Sequence, residues 1–162
     1  KRTPSYIGMF LALALVCSYA ESLIPIHFGI PGVKLGLTNI VVILMIYDTG
    51  VREALTVSVL RIVLAGFLFW SMSGILYSLA GGLLSFFFMA ALKRTKKFKL
   101  IAVSAVGGVT HNLGQLVIAA AVVENLNMFY YFPVLLCAGL TTGIVIGIIA
   151  REILFRLPKQ EL

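Results

Sequence analysis

One arginine stands near the middle of a long apolar stretch of this sequence. Arg61 lies inside the run at residues 51–70, far from both of its ends. A guanidinium group keeps its proton in almost any environment, so it cannot avoid the cost of burial in an apolar medium by becoming neutral. Two interpretations stay open. Arg61 binds an anionic or carbonyl-bearing ligand, or it forms an internal ion pair with Glu21 or hydrogen bonds to helix ends.

A second polar feature interrupts the apolar run at residues 99–123. In the segment THNLGQ at 110–115, His111 and Gln115 are four residues apart, and Asn112 and Gln115 are three apart. On a helix these spacings place the side chains in one stripe. Such a stripe lines a ligand cavity or forms hydrogen bonds between helices. Three polar groups so close together favour the cavity.

Further polar groups are expected to converge on the same half of the protein. Glu21 lies one turn from the end of the first apolar run, and Asn39 lies near the start of the second. The segment PIHFGIPGVKLG at 25–36 has two prolines and three glycines, which predict kinked backbone. It is either a lid over a site or a turn that the short second run requires. The predicted substrate-binding residues are Glu21, His27, Lys34, Asn39, Arg61, His111, Asn112 and Gln115.

We expect membrane-spanning helices to hold these polar groups in place. Of the 162 residues, 60% are hydrophobic and 12% are charged, about half the charged fraction of a soluble domain. Six apolar runs account for nearly the whole chain and are too long and too continuous for barrel strands. We predict an all-α membrane protein, a six-transmembrane-helix bundle in a single domain at residues 1–162. The predicted spans are about 5–24, 33–47, 51–70, 74–92, 99–123 and 128–155.

The lysine and arginine residues predict how the bundle is oriented. With the amino terminus inside, 11 of the 13 lie on the cytoplasmic side, as the positive-inside rule requires. We therefore predict a multi-pass protein of the cell membrane with both termini in the cytoplasm. The basic run KRTKKFK at 93–99 then contacts anionic lipid headgroups or docks a cytosolic partner. The net charge of +7 reflects this topology and does not indicate a nucleic-acid partner.

Several kinds of catalytic and metal site have no counterpart in the sequence. It contains no P-loop, GxSxG, HExxH or CxxC motif, and Asp48 is its only aspartate. His27 and His111 do not have the spacing of a metal site, and Cys17 and Cys137 sit within apolar runs. We predict no catalytic residues, no metal and no cofactor. The protein is therefore expected to be a binding protein, not an enzyme.

Small residues mark the faces along which helices pack. In the sixth run, Gly139, Gly143 and Gly147 are four residues apart, a pattern typical of close helix packing. The first run has two pairs at the same spacing, Gly8 with Ala12 and Ala14 with Ser18. Either these pairs pack inside the bundle, or they form a smooth face for a second membrane subunit.

Four segments carry a resemblance to a known family. They are PGVKLGLTNIV at 31–41, REALTVSVLRIVLAG at 52–66, SLAGGLLSFFFMAALK at 78–93 and THNLGQL at 110–116. They resemble the Gx transporter family, which is also labelled heptaprenyl diphosphate synthase component I, over about residues 8–155. That family looks like the substrate-binding S components of energy-coupling factor (ECF) transporters.

The resemblance implies a particular architecture and particular partners. S components are six-helix bundles with both termini inside, which bind a vitamin or similar micronutrient near the outer face beneath a mobile first loop. Their first helix contacts a transmembrane scaffold subunit that carries two cytosolic ATPases. By this resemblance, the scaffold contact would involve Gly8, Ala12, Ala14 and Ser18.

The residues and the resemblance together favour a membrane subunit that binds a small molecule. The ligand would be vitamin-like or cofactor-like, such as a flavin or a quinone precursor. One alternative is a membrane accessory of polyprenyl diphosphate or quinone biosynthesis, which would need a soluble catalytic partner and a lipid-facing groove. Another is a membrane component of flavin-based extracellular electron transfer.

Overall fold

The computed structural model describes residues 3–24, 36–69 and 71–157 of the chain. Within them, the backbone forms six α-helices and one short 3₁₀ helix and contains no strand. The helices are α1 (Pro4–Leu23), α2 (Asn39–Asp48), α3 (Val51–Phe69), α4 (Met72–Thr95), α5 (Leu100–Val123) and α6 (Phe132–Arg156), and the 3₁₀ helix is Leu126–Tyr131. Two predicted site residues, His27 and Lys34, lie outside the described residues.

Four of the helical stretches are long and apolar enough to cross a membrane. They are α1, α4, α5 and the continuous stretch Leu126–Arg156. The prediction of an all-α membrane bundle is confirmed. The helix α3 has 19 residues but includes Arg52, Glu53 and Arg61. The helix α2 has ten residues and is about 15 Å long, half the hydrocarbon thickness of a bilayer. The count of six spans stays a prediction.

The short helix α2 forms the centre of the bundle. It contacts all five of the other helices, and every residue from Val41 to Ile46 is at most 5% exposed. A helix that is apolar all round is expected to be buried in this way. Its carboxyl end is held by the Tyr6 hydroxyl, which donates to Asp48 Oδ2 at 2.7 Å, and by Lys93 Nζ, which donates to the carbonyl oxygen of Ile46.

The carboxyl-terminal helices α5 and α6 pack backbone against backbone. A Cβ atom built on Gly108 would overlap the carbonyl oxygen of Gly139, and one on Gly143 would lie 2.7 Å from the carbonyl oxygen of Ser104. A Cβ on Gly147 would approach α5 as closely. The three evenly spaced glycines of α6 therefore pack inside the bundle, as their spacing predicts.

The helix α1 lies at the edge of the bundle. It packs on α2 and α3 and, within the described residues, its backbone does not approach that of α4, α5 or α6. Gly8 and Ala12 are exposed, whereas Ala14 and Ser18 are each 2% exposed, and Ser18 Oγ lies 3.4 Å from Thr38 Oγ1. Two residues along a helix correspond to a turn of about 200°, so the two pairs lie on opposite faces. Of the four residues predicted to form a partner face, only Gly8 and Ala12 are exposed. Ala14 and Ser18 belong to the interior of the bundle.

Candidate functional site

The carboxylate of Glu21 binds the backbone that leads into α2. Glu21 Oε1 accepts hydrogen bonds from the N–H groups of Gly36 at 2.6 Å and Leu37 at 3.4 Å. Gly36 has a φ of +76°, in the left-handed region that favours glycine. Glu21 itself is 7% exposed. A buried carboxylate near the end of α1 thus fixes the position of the chain before α2.

Two further predicted site residues meet at Gly36. A Cβ atom on Gly36 would lie 3.2 Å from His111 Cδ2 and 3.4 Å from Asn39 Nδ2. The Asn39 amide also donates to Ser85 Oγ on α4 at 3.5 Å. The structure therefore brings Glu21, Asn39 and His111 together, although they belong to α1, α2 and α5.

Close approach of α4 and α5 places His111 and Gln115 side by side. A Cβ atom on Gly81 would lie 2.7 Å from the carbonyl oxygen of His111 and 2.8 Å from Gln115 Cγ. Gln115 is completely buried and His111 is 3% exposed. The absence of a side chain at Gly81 lets α5 present both polar residues to the bundle interior.

Asn112 faces a different neighbour. Its Nδ2 donates to the carbonyl oxygen of Leu135 on α6 at 2.8 Å, and the Cβ position of Gly139 lies 3.0 Å from the same nitrogen. Consecutive helical residues differ by about 100° in direction, so Asn112 and His111 point to different helices. The polar stripe is therefore divided. His111 and Gln115 lie toward α4, and Asn112 connects α5 to α6.

Arg61 is a buried cation with unused hydrogen-bonding capacity among the described residues. It is 6% exposed, and its Nε has no hydrogen-bond partner in the described part of the chain. The negative charge of Glu21 acts on Arg61, but the two side chains do not form an ion pair within 4.0 Å. The carboxylate is instead held by Gly36. The internal ion pair that the sequence left open is not a direct contact in this structure.

We call Glu21, Gly36, Asn39, Arg61, His111 and Gln115 the polar cluster. Five of its members lie on α1, α2, α3 and α5, and Gly36 lies just before α2. Each of the six is buried. Guanidinium, imidazole and amide groups together supply several hydrogen-bond donors. Arginine in particular matches the geometry of a carboxylate or phosphate. Such groups are the ones that bind anionic or carbonyl-bearing molecules in proteins.

Comparison with known proteins identifies the family of the chain. The sequence model of the family described as heptaprenyl diphosphate synthase component I matches residues 10–153. The chain belongs to this family. Comparisons with curated proteins and with solved structures gave no match. The family assignment confirms the resemblance found in the sequence, and the name describes one component of a synthase, which implies a partner in a complex.

In this member of the heptaprenyl diphosphate synthase component I family, the matched residues include the entire polar cluster. Sequence reasoning did not assign Gly36 or Ser85 to the site. The sequence does contain a pattern that could have pointed to Ser85. It follows Gly81 by four residues and therefore lies on the same face of α4, the face that α5 covers. The importance of Gly36 comes from its positive φ and from contacts with distant residues, which sequence spacing does not reveal.

Proposed function

We propose that this protein is the small-molecule-binding membrane subunit of a transporter of the energy-coupling factor type. It binds a vitamin-like or cofactor-like solute, such as a flavin or a quinone precursor, and carries out no chemical conversion. It resides in the cell membrane with both termini in the cytoplasm. The polar cluster then lies in the outer half of the bundle, where it meets a solute that arrives from outside.

The observation that carries this proposal is the state of Arg61. A charged side chain near the middle of a span costs about 2.5–3.5 kcal/mol on insertion scales. Among the described residues, Arg61 Nε has no hydrogen bond that offsets this cost, and Glu21 is engaged with Gly36. An anionic or carbonyl group of a bound solute would supply the missing partner. His111 and Gln115 would contact the same solute from α5.

The exposed side of α1 supports a partner in the membrane. Gly8 and Ala12 lie on this side, and, apart from its two chain neighbours and the backbone of α1 itself, no described atom comes within 4 Å of a Cβ built on Gly8. Val16 follows at the same spacing and is 62% exposed. A face of small residues permits close packing of a second helix. We assign it to the scaffold subunit, which would carry two cytosolic ATPases.

The test of solute binding is mass spectrometry of small molecules that copurify with the protein. We expect a solute with a carboxylate, phosphate or carbonyl group from the wild-type protein. It should be reduced at least tenfold in Arg61→Gln, a loss of about 1.4 kcal/mol in binding free energy. Arg151→Gln is the matched control, because Arg151 is exposed and pairs only with its neighbour Glu152 among the described residues. Equal solute content in all three proteins would contradict the proposal.

The test of the partner is coexpression with a scaffold subunit and its ATPase pair. Gly8→Leu combined with Ala12→Leu should abolish coelution of the complex, because bulky side chains would hold a second helix away. Ala121→Leu introduces a leucine at an exposed position of α5 and should leave coelution intact. If all variants coelute equally, the α1 face is not the scaffold contact.

A second candidate function is favoured by an apolar groove between α2 and α6. The groove has a volume of about 200 Å³ and is lined by Leu37, Ile40, Thr141, Thr142, Val145, Ile146 and Ile149. Its mostly apolar lining is suited to a hydrocarbon chain. A membrane accessory of polyprenyl diphosphate or quinone biosynthesis would hold an isoprenoid chain there.

Two observations distinguish the candidates. The accessory function predicts that a prenyl lipid copurifies with the protein, that Val145→Trp removes it, and that a soluble prenyl synthase coelutes. The transporter function predicts a polar solute that Arg61→Gln removes, together with a scaffold subunit and an ATPase pair. Val145 is 50% exposed, so the tryptophan can block the groove without entering the core.

A further inference from the structure

A second concave surface lies at the end of the bundle opposite the polar cluster. It is a groove of about 630 Å³ between the start of α3 and the end of α4. Its lining includes Val51, Arg52, Phe87, Ala91, Arg94 and Lys96. Neither the solute-binding proposal nor the family assignment gives this groove a role.

The groove has an apolar wall and a basic rim. Phe87 on α4 is 66% exposed and Val51 at the start of α3 is 41% exposed, so apolar side chains of both helices face the surroundings. Arg52, Arg94 and Lys96 are also exposed. Within the described residues, their side chains form no ion pair or hydrogen bond. Three cations are thus available next to an apolar surface.

The backbone at the end of α4 places Lys96 beside the groove. Lys96 ends α4 in a left-handed conformation with a φ of 56°, and its N–H donates to the carbonyl oxygen of Lys93 at 3.1 Å. This turn brings Lys96 back beside the last turn of α4. Lys93, which also lines the groove, is already bound to the carbonyl oxygen of Ile46. It therefore serves to attach α4 to α2, and the other cations form the free rim.

Among the residues that the structure describes, no carboxylate lines the groove. The nearest acidic residue along the chain is Glu53, and its Oε2 lies 2.9 Å from the Cβ position of Gly50. Glu53 is absent from the groove lining. The charge of the described lining is therefore positive, and charge complementarity selects an anionic occupant.

We infer that this groove binds one molecule of an anionic phospholipid. Its phosphate contacts Arg52, Arg94 and Lys96, since arginine binds phosphate oxygens in a two-pronged manner. Its acyl chain lies along Phe87 and Ala91. A free phosphate compound would not use the apolar wall, and an apolar lipid would not use the rim. A defined groove also differs from a diffuse basic surface, because it predicts one saturable site.

The experiment is native mass spectrometry of the purified full chain in detergent. The probes are phosphatidylglycerol, phosphatidylcholine with the same acyl chains, and glycerol 3-phosphate. We expect the wild-type protein to bind one phosphatidylglycerol at least tenfold more tightly than either of the other probes. Arg52→Gln combined with Arg94→Gln should weaken phosphatidylglycerol binding at least tenfold.

The matched control is Lys97→Gln combined with Lys99→Gln. It removes the same number of positive charges, and both lysines belong to the basic run that contains Arg94, but neither lines the groove. It should change binding less than twofold. Gel filtration and thermal unfolding check that all variants fold, and Phe87→Ser provides an independent test of the apolar wall, with a weaker affinity expected.

Several outcomes would overturn the inference. Equal weakening in both double variants would show a diffuse charge effect without a site. Equal binding of phosphatidylcholine would show that the basic rim does not select the headgroup. Equal binding of glycerol 3-phosphate would show that the occupant is a soluble anion.

Discussion

Gly36 donates its backbone N–H to Glu21 Oε1 across 2.6 Å, although the two residues are fifteen positions apart. The bond joins the end of α1 to the chain just before α2. It also sets Gly36 against the ring of His111. The residues that flank 25–35 on both sides are thereby fixed beside the polar cluster.

Removing the Glu21 side chain is expected to cost more than neutralising it. In Glu21→Ala, the Gly36 N–H loses a buried acceptor, which costs about 1–3 kcal/mol in the free energy of unfolding. Glu21→Gln retains an oxygen at the same place and should lose less. Thermal unfolding of the purified proteins checks this order. If both variants lose the same stability, the charge of Glu21 matters and its bond to Gly36 does not.

Adding a methyl group at Gly36 is expected to destabilise the protein. An L-residue in the left-handed region costs about 1–2 kcal/mol, and the new Cβ in Gly36→Ala would press on His111 at 3.2 Å. Gly8→Ala is the control, since, apart from its two chain neighbours and the backbone of α1 itself, its Cβ meets no described atom within 4 Å. An alanine is also better than a glycine within a helix. The midpoint of thermal unfolding should fall for Gly36→Ala and stay level or rise for Gly8→Ala.

Neutralising Arg61 is expected to weaken solute binding without lowering the stability of the solute-free protein. Arg61→Gln removes a buried charge that has no direct ion pair with Glu21, so the solute-free protein should be as stable as the wild type or more stable. Addition of the copurified solute should raise the unfolding temperature of the wild type and not of the variant, because a ligand stabilises the state that binds it.

A structural role for Arg61 would give a different pattern. If Arg61 mainly balances the charge of Glu21, the single variant unfolds at a lower temperature. The double variant with Glu21→Gln then recovers part of the loss. That recovery, together with unchanged solute binding, would refute the binding role.

The contact between α5 and α6 is expected to tolerate no side chain at Gly108. In Gly108→Ala, the new Cβ overlaps the backbone of Gly139, which cannot move away as a flexible side chain can. Overpacking of this kind costs about 1–3 kcal/mol or more. A loss of folded protein in gel filtration, or a lower unfolding temperature than for Gly8→Ala, is the expected result. Wild-type stability would show that α5 and α6 lie farther apart.

The orientation of the bundle is tested by labelling single cysteines on intact cells. After replacement of Cys17 and Cys137 by serine, Ser73→Cys at the start of α4 should react with an impermeant thiol reagent. Thr95→Cys at the end of the same helix should not react, because the positive-inside rule places the basic end in the cytoplasm. Both positions are exposed. The reverse pattern would place the polar cluster on the cytoplasmic side.

The sequence predicts the fold better than it predicts the site. Length and apolar content are sufficient for the helices, since a continuous apolar run can only satisfy its backbone as a helix in a membrane. The glycine spacing of α6 correctly predicts close packing, because helical periodicity is a local property. The burial of α2 also follows from its apolar composition.

Contacts between distant residues could not be predicted in the same way. Asn112 and His111 belong to one polar segment, but only the arrangement of helices shows that Asn112 bonds to Leu135 on α6. The four small residues of α1 look equivalent in the sequence. The structure divides them, because the neighbouring helices cover only the side with Ala14 and Ser18.

The central position of α2 has a consequence for the biogenesis of the protein. Synthesis proceeds from the amino terminus, so α2 enters the membrane before α4, α5 and α6, all of which cover it in the finished bundle. Until Phe132–Arg156 has been synthesised, the side of α2 that packs on α6 stays uncovered. The sixth helix therefore completes the enclosure of the second. A nascent chain stalled before α6 is an assembly intermediate whose centre is still open.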